Sequence, residues 1–287
     1  MEGKVTKGIG GFYYVAYGDS TIECRARKKI KTEHGRILTG DNIEFSMEKH
    51  GYVIEKILTR KNKLTRPPVS NVDQVMVVFS VDFPKPNFLF LDKLILNCEM
   101  EHLDILLCCN KVDLDSNSVI EVRNHFLNTG YEIIFSSTKT NIDMAKIKNR
   151  LENRTTVLAG PSGVGKSSII NMIEPKMDLL TGSISSKLRR GKHTTRHTEL
   201  LKTGKNGFVL DTPGFTSLEI EKLDCEEVKE FYPDFLNFSN LCKFKNCNHL
   251  NEPGCQIKHQ VSTGGISPTR YANYKSIIDE LKNTGRY

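Results

Sequence analysis

Gly160-Pro161-Ser162-Gly163-Val164-Gly165-Lys166-Ser167, with Asn110-Lys111-Val112-Asp113 lying upstream of it, is the stretch that decides the fold. Its glycines stand where a chain must fold back tightly and aim successive N–H groups at phosphate oxygens. The apolar run Thr155–Ala159 leads into it and Ser168–Ile173 leaves it, the strand-loop-helix context in which a helix N-terminus adds its positive end. In such a loop Lys166 reaches the terminal phosphates and the Ser167 hydroxyl ligates Mg²⁺. Gly160, Pro161, Ser162, Gly163, Val164, Gly165 and Ser168 complete the cradle.

Asn110–Asp113 has the form of a guanine reader. Guanine offers two adjacent donors, N1–H and N2–H₂, and a carboxylate such as Asp113 meets both. Adenine would leave that carboxylate unmatched, a discrimination of about 10⁴. Asn110 braces the loop, the Lys111 stem covers the ring and Val112 completes the turn. Ser137, in Ser136-Ser137-Thr138-Lys139, supplies a supporting loop near the base. In an ordinary guanine-nucleotide domain the phosphate loop comes first and this tetrapeptide comes near the end. Here the order is inverted, as in a circularly permuted domain.

Asp211-Thr212-Pro213-Gly214 follows the apolar segment Phe208–Leu210 and matches the D-x-x-G element that senses a γ-phosphate. Asp211 would hold Mg²⁺ through water, and the Gly214 N–H would meet the phosphate. Residues 182–205, rich in Ser, Thr, Lys, Arg and Gly, have the composition of a mobile switch loop ordered by nucleotide. Thr195 is the chosen switch threonine on Mg²⁺, with Thr194 a close rival. Phe215 stands where many related enzymes place a water-orienting glutamine. A phenyl ring cannot orient water, which leaves His193, the chosen catalytic candidate, and His197 as alternatives.

Cys242, Cys247, His249 and Cys255 form C-x₄-C-x-H-x₅-C. Three thiolates and an imidazole at that spacing suit one tetrahedral, structural Zn²⁺. His259 lies outside the spacing. Cys24, Cys98, Cys108, Cys109 and Cys225 have no comparable grouping and read as packing residues.

The chain has 287 residues, 38% hydrophobic and 26% charged, with a formal charge of +7. That length accommodates several domains, and the basic balance suits a polyanionic partner. Residues 1–63 carry 13 Lys/Arg against 8 Asp/Glu, including the run Arg25-Ala26-Arg27-Lys28-Lys29-Ile30-Lys31. Short β segments at Gly11–Tyr17, Thr21–Arg27, Asp41–Met47 and Tyr52–Ile57 predict a small oligonucleotide-binding (OB-type) barrel there. From residue 64 to residue 223, strands alternate with helices. Gln74–Ser80, Asp104–Cys109 and Tyr131–Phe135 are strands, while Leu89–Met100 and Ser116–Asn128 are helices. The pattern predicts a doubly wound, mostly parallel sheet. Residues 224–287 read as a mainly helical, zinc-binding domain too short for a large core, in which metal replaces packing. No run is long enough to span a membrane, no apolar signal core opens the chain, and the cysteine usage fits a cytoplasmic protein.

These elements together resemble the circularly permuted small ribosomal subunit biogenesis GTPases, the RsgA/YjeQ family. The match includes Asn71-Val72-Asp73-Gln74, Asn110–Asp113, Gly160–Ser168, Gly191–Arg196, Asp211–Gly214, the Cys/His pattern, and Ser267-Pro268-Thr269-Arg270-Tyr271 with Tyr274. The resemblance implies a multidomain α/β protein comprising an OB-type barrel, a permuted GTPase and a zinc domain. It implies GTP and GDP as ligands and late maturation of the 30S subunit, with contact to 16S rRNA. It also implies that the subunit stimulates hydrolysis, which is coupled to release. A monomer is expected. The competing reading is a nucleic-acid-binding module in which the nucleotide is only structural.

Overall fold

The structure is a computed structural model of the whole chain; it describes residues 1–27, 30, 36–175, 198–211 and 223–284. Lys28, Lys29 and Lys31 of the basic run, residues 182–197 with His193, Thr194, Thr195 and His197, and residues 212–215 lie outside the described set. Two compact units emerge. One comprises Met1–Met76, Met144–Ala159 and Lys166–Phe215, the other Val77–Asp143, Gly160–Gly165 and Thr216–Tyr287.

The first unit opens with β1 (Glu2–Ile9), β2 (Phe12–Tyr17), β3 (Ser20–Ala26), β4 (Asn42–Glu48) and β5 (Gly51–Ile57). They close into a barrel in the order β1-β2-β3-β5-β4, β1 pairing antiparallel with both β2 and β4. β3 and β5 run parallel. Alternate residues face inward, so Val5, Val15, Cys24, Ile43, Phe45 and Ile54 form the core. Full burial of each such apolar side chain contributes roughly 1.5–3 kcal/mol. The expected barrel is present with an additional first strand. Gly3 and Gly8 had obscured β1, whose register is carried by its two neighbours.

Beyond the barrel, β6 (Lys63–Leu64) pairs with β7 (Val69–Ser70). Asp41, fully buried, gathers this region. Its carboxylate accepts from Arg60 Nε at 2.6 Å, Ser70 Oγ at 2.6 Å and the Leu38 N–H at 2.8 Å.

The sheet that follows is built from β8 (Gln74–Ser80), α1 (Phe88–Met100), β9 (Asp104–Asn110), α2 (Ser116–His125), β10 (Glu132–Phe135), α3 (Met144–Leu151), β11 (Thr155–Ala159), α4 (Lys166–Ile173), β12 (Leu200–Thr203) and β13 (Gly207–Asp211). Its strand order is β10-β9-β8-β11-β13-β12. β9 pairs parallel with β10, and β11 parallel with β13. Every residue of β8 and β11 is buried, as strands covered on both faces require. α1 and α2 begin at Asn87 and Asp115, whose side chains accept from the N–H groups of Phe90 and Asn117. α2 ends at His125, short of the expected Asn128, which adopts a left-handed φ of 59°.

One expectation needs correction. Residues 200–203, assigned to the mobile loop, form β12, an antiparallel edge strand with Leu200 opposite Leu210 and Thr203 opposite Gly207. Leu200 is buried, and the ladder with β13 overrides the polar local composition. The N-terminal segment meets this strand and the two residues before it: Thr39 Oγ1 donates to the Thr198 carbonyl at 3.0 Å, Lys7 pairs with Glu199 at 2.6 Å, and Lys202 Nζ donates to the Gly18 carbonyl at 2.7 Å.

In the second unit a short 3₁₀ turn, Val228–Phe231, precedes α5 (Pro233–Ser239), α6 (Gln256–Thr263) and α7 (Pro268–Thr284). The small core expected here is larger in fact. Tyr232, Phe235, Ile257, Ile266, Tyr274, Ile277, Ile278 and Leu281 cluster with Leu96 of α1, so the tail shares apolar surface with the sheet's own helix.

Candidate nucleotide and metal sites

Asn110 closes β9 with its side chain fully buried. Its Nδ2 donates to the Val164 carbonyl at 2.9 Å, and its Oδ1 accepts from Ser136 Oγ at 3.5 Å. Lys111, at φ 62°, donates through Nζ to the Gly163 carbonyl at 2.7 Å and also to the Phe83 carbonyl. The two motifs, separated by about fifty residues of chain, are thus joined by direct hydrogen bonds. The approach is close enough to require glycine. A Cβ on Gly165 would lie 2.4 Å from Asn110 Nδ2, and one on Gly160 would lie 2.0 Å from the Val78 carbonyl oxygen. Both glycines have positive φ, of 100° and 124°.

Asp113 is exposed. Ser137, fully buried, donates its hydroxyl to Asp113 Oδ1 at 2.5 Å while accepting from the Thr140 N–H at 3.1 Å. Val112 N–H bonds the Ser136 carbonyl at 3.2 Å. The Ser136–Lys139 loop therefore orients the carboxylate and supports the turn that bears it. Of the remaining loop residues, Val164 is buried, Ser162 and Gly163 are exposed, and Pro161, Ser167 and Ser168 are half-buried. Lys166 and Ser167 begin α4, and Asp211 ends β13, beside Leu158 in the register with β11.

The motif Asn71–Gln74, quoted in the sequence only for its resemblance, now has a structural account. Asn71 bonds Lys61 N and the Gly40 carbonyl, Asp73 accepts from Thr155 N–H at 2.7 Å, and Gln74 donates to Thr156 Oγ1 at 2.8 Å. It pins the segment after the barrel to β11, the strand that delivers the phosphate loop.

In the tail, the ligand atoms of Cys242, Cys247, His249 and Cys255 all lie within 4.8 Å of one another. Cys242 Sγ is 3.7 Å and Cys255 Sγ 3.5 Å from His249 Nδ1. Zn–S bonds of about 2.3 Å and Zn–N bonds of about 2.0 Å give S···N edges of about 3.5 Å in a tetrahedron, so the donor set fits zinc through Nδ1. Burial lowers the His249 pKa to about 4, which keeps the imidazole in its neutral, ligating form. Burial pushes the Cys247 thiol up to about 12, so coordination must displace its proton. His259 stays outside the group and exposed, as expected. Burial also raises the thiols of Cys24, Cys98, Cys108 and Cys109, in keeping with inert packing residues.

Sequence reasoning missed what holds this knuckle. Tyr271 and Tyr274 of α7 donate to the carbonyls of His249 and Asn248 at 2.7 and 2.8 Å. The neighbouring Arg270 is buried, its Nη1 2.7 Å from Asp92 Oδ1 and its Nε 3.0 Å from Asp234 Oδ2. A clue was available, since Asp92 follows an apolar tetrad at the start of α1, but nothing local named its partner.

The RsgA GTPase profile matches residues 57–221, and the RsgA N-terminal domain profile matches residues 2–53. The chain belongs to the RsgA GTPase family. It is accordingly a GTPase that uses guanine nucleotide and Mg²⁺. A Small ribosomal subunit biogenesis GTPase RsgA from Agathobacter rectalis is 41% identical, with both chains covered in full. A protein of the same name from Caldanaerobacter subterraneus subsp. tengcongensis is 42% identical over 98% of this chain and 96% of its own. Among solved structures, YjeQ from Thermotoga maritima superposes with a TM-score of 0.83 at 35% identity, covering 100% of this chain and 99% of its own. YloQ, described as a circularly permuted GTPase, gives 0.80 at 34% identity over 98% and 95%. The inverted motif order of this RsgA-family chain agrees with that description.

Proposed function

We propose that this chain is a cytoplasmic, monomeric GTPase that binds the 30S subunit, contacts 16S rRNA, and acts late in small-subunit maturation, hydrolysing GTP with release from the subunit. The observation that carries the nucleotide assignment is the pair of bonds from Asn110 and Lys111 to the Val164 and Gly163 carbonyls. They assemble a base reader and a phosphate cradle from segments in inverted order. The assignment to the small subunit rests on the names of the relatives and on the basic balance of residues 1–63. No helix of the described residues is long and apolar enough to cross a membrane.

In this reading Asp113 accepts from guanine N1–H and N2–H₂, with Ser137 fixing the carboxylate and the Lys111 stem covering the ring. The backbone of Gly160–Gly165 and the N-terminus of α4 receive the phosphates, and Lys166 neutralises the transferring group. Ser167 and Thr195 would hold Mg²⁺ directly, Asp211 would hold it through water, and Gly214 would meet the γ-phosphate. When bound, the metal would supply charge neutralisation to the phosphates. Phe215 leaves water positioning to another group, with His193 the first candidate and His197 the second, so the free protein turns over slowly and the subunit completes the site. Cys242, Cys247, His249 and Cys255 hold one structural Zn²⁺. The three parts correspond to residues 1–63, 64–223 and 224–287.

Multiple-turnover GTP hydrolysis measured with and without isolated 30S subunits tests this reading. Stimulation of at least tenfold is expected, a change of about 1.4 kcal/mol in barrier. Equal rates would overturn it in favour of a binding module with structural nucleotide.

A further inference from the structure

Lys111 is held from two sides. Its ammonium donates to the Gly163 carbonyl of the phosphate loop and to the Phe83 carbonyl in the turn that follows β8. The turn is not anchored by its aromatic ring, because Phe83 is 76% exposed. The Phe83 backbone sits at φ 33°, a conformation that costs a phenylalanine energy and persists only where the surroundings impose it. Two bonds tie down the residues on either side of it. Ser80, the last residue of β8 and fully buried, donates its hydroxyl to the Pro84 carbonyl at 2.7 Å. Val81 N–H bonds the Asn110 carbonyl at 3.1 Å. The turn also lies against the phosphate loop, since a Cβ on Gly163 would come 3.8 Å from Pro84 Cδ.

We propose that Ser80 is a positioning residue for guanine-nucleotide binding: its hydroxyl fixes the turn, the turn presents the Phe83 carbonyl, and that carbonyl locates the Lys111 ammonium. A lysine has a long, freely rotating stem, and a stem that must lie over a purine ring binds better when its end is fixed beforehand. The Gly163 carbonyl alone gives one anchor point; with the Phe83 carbonyl the ammonium is bracketed. The inference rests on the nucleotide site proposed above and adds to it a buried serine distant in sequence from both motifs.

The test is a double-mutant cycle on the full-length chain, read as the affinity and dissociation rate of a fluorescent GDP. Ser80→Ala is expected to weaken binding about fivefold to twentyfold, mainly through faster dissociation, with little change in thermal midpoint. Lys111→Met should weaken it further, and adding Ser80→Ala to Lys111→Met should cost less than twofold more. Multiplying losses would show that Ser80 does not act through Lys111 and would overturn the proposal alone. An unchanged affinity in Lys111→Met would overturn the nucleotide-site assignment and the proposal with it. Guanosine and inosine nucleotides should lose the same factor in Ser80→Ala, because the stem packs on either ring; a selective loss for guanosine would point to Asp113 and count against the proposal. Should Ser80→Ala fail to fold, Phe83→Val and Phe83→Gly give the same reading from an exposed position. Each should weaken binding when Lys111 is present and have less than a twofold effect in the Lys111→Met background; losses of the same size in both backgrounds would overturn the proposal.

Discussion

Arg270 Nη1 lies 2.7 Å from Asp92 Oδ1, with both side chains sealed from water, and this contact joins α7 to α1. Asp92 also accepts from Asn273 Nδ2 at 2.7 Å and lies 3.0 Å from His125 Nε2, while Arg270 reaches Asp234 and stacks over the Tyr232 ring at 4.5 Å. Removing the cation takes the guanidinium from two buried carboxylates. Arg270→Met is expected to destabilise the chain by about 3–5 kcal/mol, read as a lowered denaturant midpoint. A loss below about 1 kcal/mol would mean that water or rearrangement replaces the guanidinium.

Base selection should follow Asp113. Asp113→Asn is expected to weaken GTP binding and admit xanthosine triphosphate, because the new amide donates to the carbonyl at position 2 of xanthine. Competition binding measures this, and a retained preference for GTP would refute the role.

Zinc content should be about one ion per chain by elemental analysis, as one closed Cys/His site requires. Cys247→Ser should loosen the tail and leave nucleotide affinity largely intact; metal-free protein purified without chelators would contradict this. Acid should act on the metal-free tail through His249. Its folded pKa of about 4 lies below the ordinary 6.5, so the unfolded chain binds more protons between those values. The associated stability is fully present above pH 6.5 and is lost as pH falls towards 4. Metal affinity should climb with pH, because the Cys247 and Cys255 thiols, raised by burial, must give up protons. A thermal midpoint flat from pH 6.5 to 4, or a pH-independent metal affinity, would contradict the geometry.

The permuted order places the proposed γ-phosphate sensor, Asp211–Gly214, upstream of the tail that carries the Cys/His cluster, with no further nucleotide motif between them. GTP is therefore expected to favour the arrangement that binds the 30S subunit and GDP to disfavour it, with a coupling of about 1–3 kcal/mol. Subunit affinity measured with a non-hydrolysable GTP analogue and with GDP decides this, and equality within about twofold would sink the switch.

What the sequence made legible was whatever is encoded locally. Between Gln74 and Ser80 the run Val75–Phe79 is apolar without interruption because both faces are covered, and the structure shows the strand with the expected bounds, Gln74–Ser80. Gly160–Ser167 and Asn110–Asp113 carry their geometry in residue type and spacing, as do the four Cys/His ligands. The hidden features depend on distant partners. β1 owes its register to β2 and β4, and β12 is a strand only because β13 lies beside it. Arg270 meets Asp92 across 178 residues of chain, and the Ser80 hydroxyl matters through a carbonyl that no residue type announces.

Among the described residues β12 is the last strand of its sheet, and such an edge offers unpaired backbone groups to any strand that comes near. Thr39, Lys7 and the Gly18 carbonyl hold the barrel against this edge. A fragment cut after residue 63 would retain every nucleotide motif yet lose that cover, and self-association through the bared strand would compete with folding. The barrel is thus expected to keep the enzyme behind it soluble as well.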